Sequence, residues 1–114
     1  MEQNCNGSSD INHYTDRFLN VDLETQMVEL EGKVLDLSAT EYGLLACLIR
    51  NMGKTVTDAQ IQREVWGCRY GDLPAMMTLY ICYLRKKLAN SQHDHQYIYA
   101  VWGRGYCFVP ITEN

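Results

Sequence analysis

Hydrophobic and polar positions change with a short period near the start of the chain, with a helical period through its middle, and with a short period again near its end. From Arg17 the pattern predicts three short antiparallel strands: Phe18-Leu19-Asn20-Val21, Gln26-Met27-Val28-Glu29-Leu30 and Lys33-Val34-Leu35. Asp22 to Thr25 connects the first two. Glu31-Gly32 connects the second pair as a hairpin turn, because glycine supplies the positive φ that tight turns need.

Ser38-Ala39-Thr40-Glu41 then has the spacing of a capping box, and Tyr42, Leu45, Leu48 and Ile49 follow as a helical stripe that Asn51-Met52-Gly53 stops. A second helix is predicted from Thr57, with Gln60 completing a second capping box, through Ile61, Val65 and Trp66 to a stop at Gly67. Cys68 to Leu73 reads as a loop. Pro74 suits the first turn of a third helix, where its missing N–H has no partner to lose, and that helix runs to about Leu88. Met77, Ile81, Leu84 and Leu88 share its core sector. The opposite sector holds Ala75, Leu79, Cys82, Tyr83 and Lys86, flanked by Met76, Tyr80 and Lys87 on one side and Thr78 and Arg85 on the other. That outward face is too apolar for a plain solvated surface. Asn90 to Gln96 is a polar loop, and Tyr97 to Trp102 and Tyr106 to Val109 read as strands joined by Gly103-Arg104-Gly105, with the arginine at the tip. The expected fold is α+β.

With 114 residues, 46% of them hydrophobic, the chain has material for one ordinary domain. Residues 1–16 are expected to be a polar tail or linker and 17–114 the domain. The opening polar segment lacks the basic start and apolar stretch of a secretory signal, and no apolar run approaches the roughly 20 residues of a bilayer helix. Five cysteines without a C-x-x-C pair fit a reduced, cytoplasmic setting. The formal net charge of -4 argues against a protein that coats nucleic acid non-specifically, but it is unevenly spread. Residues 1–36 hold eight acids against two bases; the remainder holds eight bases against six acids.

Motifs for chemistry are weak. No arrangement brings a nucleophile to a base, Gly103-Arg104-Gly105 lacks phosphate-cradling spacing, and no carboxylates pair on one helix face, so catalysis is not expected and no cofactor is implied. His93-Asp94-His95 has metal-ligand residue types but no further ligands at usable spacing, so no metal site is expected.

Four segments taken in order, Leu37 to Leu45, Val65-Trp66-Gly67, Ile81 to Leu88 and Gly103 to Phe108, resemble the winged-helix effector domain of OmpR/PhoB-type response regulators. The resemblance covers roughly residues 17 to 110. It implies a winged helix-turn-helix: a four-stranded N-terminal antiparallel sheet, a three-helix core and a C-terminal hairpin wing. The fourth leading strand would lie near Asn12 to Thr15 or within the Phe18 segment. It also implies sequence-specific binding of double-stranded DNA, with the third helix in the major groove, the wing in the minor groove, and two copies on a repeated promoter site. Family members usually carry a receiver domain as well, which supplies most dimerisation. No segment here is expected to be one, so the domain alone is expected to be monomeric or weakly dimeric.

On this resemblance the DNA-facing residues are Trp66, Ala75, Met76, Leu79, Tyr80, Cys82, Tyr83, Arg85, Lys86, Lys87, Trp102 and Arg104. Cys68, Arg69, Tyr70, Gly71 and Asp72 would form a loop that touches RNA polymerase. The physical logic agrees: a helix fits the major groove, lysines and arginines neutralise phosphates, and an arginine on a narrow tip suits the potential of a narrow minor groove. The departures are Cys82 and Tyr83, and Ala75 and Met76, where the family often has basic or polar groups. Ala100 and Trp102 stand where Thr and Arg are common. What remains is apolar contact to thymine methyls, tyrosine hydrogen bonds and few salt links. The rival reading is a winged-helix protein-interaction module, with Met76, Leu79 and Tyr83 as anchors.

Overall fold

In the computed structural model, which describes residues 12–67, 73–89 and 95–111 (side chains of 73–75 excepted), seven strands and three helices follow one another along the chain. The first four strands, β1 (His13–Thr15), β2 (Leu19–Asp22), β3 (Met27–Leu30) and β4 (Lys33–Val34), form an antiparallel meander in sequence order. Alternation drives it: Leu19 and Val21 of β2, and Val28 and Leu30 of β3, point inward, while Asn20 and Glu29 face each other across the other side. Glu31 and Gly32 both take positive φ at the β3–β4 turn, as the sequence predicts. The sheet begins at His13, inside the segment expected to be a tail but where the resemblance places one of its two alternatives for the fourth leading strand, near Asn12 to Thr15. That strand carries one buried side chain, Tyr14, between two exposed polar ones, so it leaves almost no apolar signature.

Helix α1 (Ala39–Arg50) opens with the predicted capping box. The Ser38 hydroxyl accepts from the Glu41 amide at 3.1 Å, and the Glu41 carboxylate accepts from the Ser38 amide at 2.9 Å. Leu44, Leu45, Leu48 and Ile49 are fully enclosed and form the middle of the core. Helix α2 (Asp58–Ile61) corrects the second prediction in two ways. Thr57 accepts from the Gln60 amide, but the Gln60 side chain turns forward to Glu64 at 3.0 Å rather than back to the cap. The helix also widens into a π-helical turn, Gln62–Trp66, before Gly67 ends it with φ of 84°. Helix α3 (Leu73–Leu88) buries the predicted stripe of Met77, Ile81, Leu84 and Leu88 against α1.

The C-terminal sheet is the part least visible in the sequence. A two-residue strand, β5 (Val56–Thr57), pairs with β7 (Gly105–Phe108), which also pairs with β6 (Ile98–Val101), giving the order β5-β7-β6. The predicted terminal hairpin thus supplies the central strand, β7, and one edge strand, β6, of three, and Trp102 belongs to its turn rather than to its first strand. Gly105 lies opposite both Thr57 and Val101. A Cβ there would sit 1.9 Å from the Val56 carbonyl oxygen, so only glycine lets the strands meet.

Sheet and wing are joined by one carboxylate. Asp16 Oδ1 accepts from the amides of Phe18 (2.7 Å) and Leu19 (2.8 Å), and Oδ2 accepts from the phenols of Tyr14 (2.5 Å) and Tyr97 (2.8 Å). Burial pushes this carboxyl up, but the bonds from Tyr14, Leu19, Phe18 and Tyr97 together outweigh it and hold the group below the usual Asp range. Above them Phe108 stacks on Tyr97 (5.4 Å between centroids) and meets Tyr14 edge-on (5.1 Å).

Three outcomes follow for stability. Gly105→Ala should cost about 2–3 kcal/mol in denaturant unfolding, as overpacking against immovable backbone does. Gly43→Ala, inside α1 with only Val65 Cγ1 nearby at 3.6 Å, should instead stabilise by about 0.5–1 kcal/mol. For Asp16 the folded pKa is depressed, so its contribution is full above the unfolded carboxyl value and is lost as pH falls through the folded one. Asp16→Asn should therefore cost about 1–3 kcal/mol near neutrality, and the gap to the parent should close below about pH 4.

Candidate nucleic-acid interface

Burial of one face of α3 dictates what the other face presents. With Met77, Ile81, Leu84 and Leu88 inward, the exposed side carries Met76, Leu79, Cys82, Tyr83 and Lys86. Leu79 and Tyr83, one turn apart, keep 47% and 42% of their surface exposed. Ala75 lies in the first turn of this helix, while Cys68, Arg69, Tyr70, Gly71 and Asp72 fall outside the described residues, as do His93 and Asp94.

An aromatic row lines the near side of this face. Trp66, at the end of the π-helical turn, is half-buried and lies 6.1 Å from Tyr80, which in turn meets Tyr83 edge-on at 5.8 Å. Trp66 and Tyr80 thus support the face and Tyr83 stands out from it.

The three basic residues at the end of α3 have different duties. Lys87 donates to Glu41 Oε1 at 2.7 Å and to the Asp36 carbonyl at 2.8 Å. Glu41 is only 4% exposed: burial raises its pKa, but the Lys87 ammonium and the Ser38 amide outweigh that and leave it below the ordinary value. The capping carboxylate of α1 therefore anchors the last turn of α3. Arg85 donates from Nε to the Ile98 carbonyl at 3.1 Å, fixing α3 to the wing sheet. Lys86 is the member of the trio that projects from the exposed face.

The wing turn runs Val101-Trp102-Gly103-Arg104, closed by the Arg104 amide on the Val101 carbonyl at 2.9 Å. Gly103 has φ of 76° at the third position, where a type II turn requires it. The Arg104 carbonyl accepts from the Asp58 amide at 3.2 Å, which ties the turn to the start of α2. Arg104 is exposed as expected, but the outermost residue is Trp102, 96% exposed. Tyr99 on β6, exposed at 44%, was not among the residues picked from sequence; its position in a strand marks it only once its face is known.

Comparison with known proteins follows this geometry closely. Residues 32–108 match the family described as transcriptional regulatory protein, C terminal. The chain belongs to that family. It is 38% identical over 83 residues to the DNA-binding dual master transcriptional regulator RpaA of Synechocystis, covering 73% of this chain and 34% of that protein. It is 36% identical over 94 residues to the cell cycle transcriptional regulator CtrA of Caulobacter vibrioides, covering 82% and 41%. The chain thus spans about a third to two-fifths of the curated relatives it matches. Among solved structures, the DNA-binding domain of CpxR from Escherichia coli superposes with a TM-score of 0.75 at 28% identity, over 85% of this chain and 95% of that one. The Thermotoga maritima OmpR/PhoB homolog DrrB gives 0.76 at 28% identity, over 87% and 45%. The fold is therefore the winged helix of OmpR/PhoB-type regulators, with α3 in the place of the expected third helix and β6–β7 as the wing.

Two thiols, one buried and one exposed, should behave differently. Cys47 in α1 is buried and donates to Glu64 Oε1 at 3.2 Å; burial and that bond push its pKa up to about 12. Cys82 is exposed on α3. In the native protein at pH 8, iodoacetamide followed by peptide mapping should label Cys82 at least about tenfold faster than Cys47, and denaturant should erase the difference.

Proposed function

We propose that this chain is a sequence-specific, double-stranded DNA-binding effector domain of a bacterial response-regulator-type transcription factor, acting in the cytoplasm without chemistry of its own. The observation that carries the reading is the uncovered face of α3, with Leu79, Tyr83 and Lys86 outward beside a rigid two-stranded wing, in a chain of this family. Helix α3 enters the major groove, where Met76, Leu79 and Tyr83 meet thymine methyls and base edges, Ala75 and Cys82 allow close approach, and Lys86 reaches a phosphate. Arg104 lies along the minor groove. Trp66 and Tyr80 hold this face in place, while Arg85 and Lys87 lend positive charge to nearby phosphates from their tethered positions. Two copies occupy a repeated site, and residues 68–72 touch RNA polymerase. The name of CpxR's domain and that of RpaA support the DNA reading by kinship.

One observation favours a second reading. The exposed face of α3 is richer in apolar than in basic groups, as the face of a protein-interaction module would be.

Fluorescence anisotropy with labelled duplexes across a salt series separates the two. Binding should saturate, and Lys86→Ala with Arg104→Ala together should weaken it about 10-fold or more. With few phosphates neutralised, the dependence on salt should correspond to about three to five released ions. A slope of about eight or more would contradict the sparse contact surface, and no binding at low salt by a folded chain would favour the protein partner.

A further inference from the structure

The two tryptophans of the chain have opposite environments. Trp66 is packed on Tyr80, whereas Trp102 is 96% exposed on the wing. A free indole ring of this size is unfavourable in water, and among the described residues almost nothing covers it. The backbone that carries it is nonetheless tightly fixed. The Val101–Arg104 hydrogen bond closes the turn, Gly103 sets its shape, the Asp58 amide holds its last carbonyl, and Gly105 is wedged against Val56. The next exposed side chain is Arg104.

We propose that Trp102 is a wedge that enters the minor groove and partly unstacks one base step, so that the wing selects DNA by its deformability rather than by its base edges. The proposal rests on the DNA reading above. A narrow two-stranded finger bearing one apolar ring and one cation has the form of an element that enters a groove about 6 Å wide. The guanidinium of Arg104 is drawn to the negative potential of the groove floor and walls, and the indole gains a stacking partner, which none of the described residues offers it. Because the turn is held before binding, little conformational freedom is lost when the ring goes in. Pyrimidine–purine steps unstack most readily, so the preferred site carries a TA or CA/TG step where the wing meets it. A flat protein partner fits the tip less well, since Gly103 and then the charged Arg104 follow the ring, and Val101 before it is half-buried, so no continuous apolar patch is exposed there.

The test uses duplexes enriched by the chain itself from a random-sequence pool, carrying 2-aminopurine beside the candidate step and dyes at both ends. Binding should raise 2-aminopurine emission, as unstacking does, and shorten the end-to-end distance. Trp102→Ala should abolish both signals and weaken binding about 10-fold, in keeping with the loss of one stacked base. Trp102→Phe should retain part of each. Trp102→Lys, which adds a charge in place of the ring, should recover affinity but not the emission rise. Replacing the candidate step by a stiff AA step should weaken the parent and leave Trp102→Ala indifferent. If duplexes bind and α3 variants weaken them, but the emission stays flat and Trp102→Ala binds as the parent does, the wedge is overturned while the DNA reading stands. If the folded chain enriches no duplex at all, both fall.

Discussion

A single carboxylate, Asp16, holds the two sheets of this domain in register. Its oxygens take amides from the start of β2 and phenols from Tyr14 and Tyr97, residues that belong to opposite ends of the chain. The Tyr14 oxygen also accepts from the Ile111 amide at 3.2 Å, so the exit of the wing sheet is secured at the same point. Phe108, packed between the rings of Tyr14 and Tyr97, closes this polar knot from the core side. A partly buried carboxylate is tolerated because hydrogen-bond donors surround it, and removing one donor would leave the others with less to hold.

A second carboxylate does related work for the helices. Glu41 caps α1 and pairs with Lys87, so the N-terminus of one helix fixes the C-terminus of the other. Arg85 adds a tether from α3 to β6. These contacts fix α3 against the wing sheet, so the exposed helix face and the hairpin turn keep a set spacing. The frame uses two of the three basic side chains at the end of α3, which is why so much of the exposed surface relies on Leu79, Tyr83 and Trp102.

What was legible in the sequence was mainly local. The Ser38–Glu41 box, the Glu31-Gly32 turn and the buried stripe of α3 each depend on residues within a few positions, and each stands where the pattern puts it. Strand β1 was placed near Asn12 to Thr15 only by the resemblance and β5 escaped altogether, because short strands are defined by partners far along the chain: His13–Thr15 needs β2, and Val56–Thr57 needs Gly105 and Tyr106. The π-helical turn was hidden for another reason, since it leaves Val65 and Trp66 apolar and helical while changing only how the backbone bonds. The groove-facing candidates on α3 could be chosen from helical phase and family resemblance. The internal duties of Arg85 and Lys87, and the prominence of Trp102 over Arg104, needed the fold.

The open border of the N-terminal sheet has its own consequence. Strand β4 is two residues long, Lys33 and Val34, and both are exposed at the sheet's edge. So short an edge, with a lysine on it, offers an incoming strand little to pair with and places a charge in its way. This border of the acidic meander is therefore a poor template for further strands, even though Val34 is bare. Lengthening that strand or replacing Lys33 by an apolar residue would turn a quiet border into an aggregation seam.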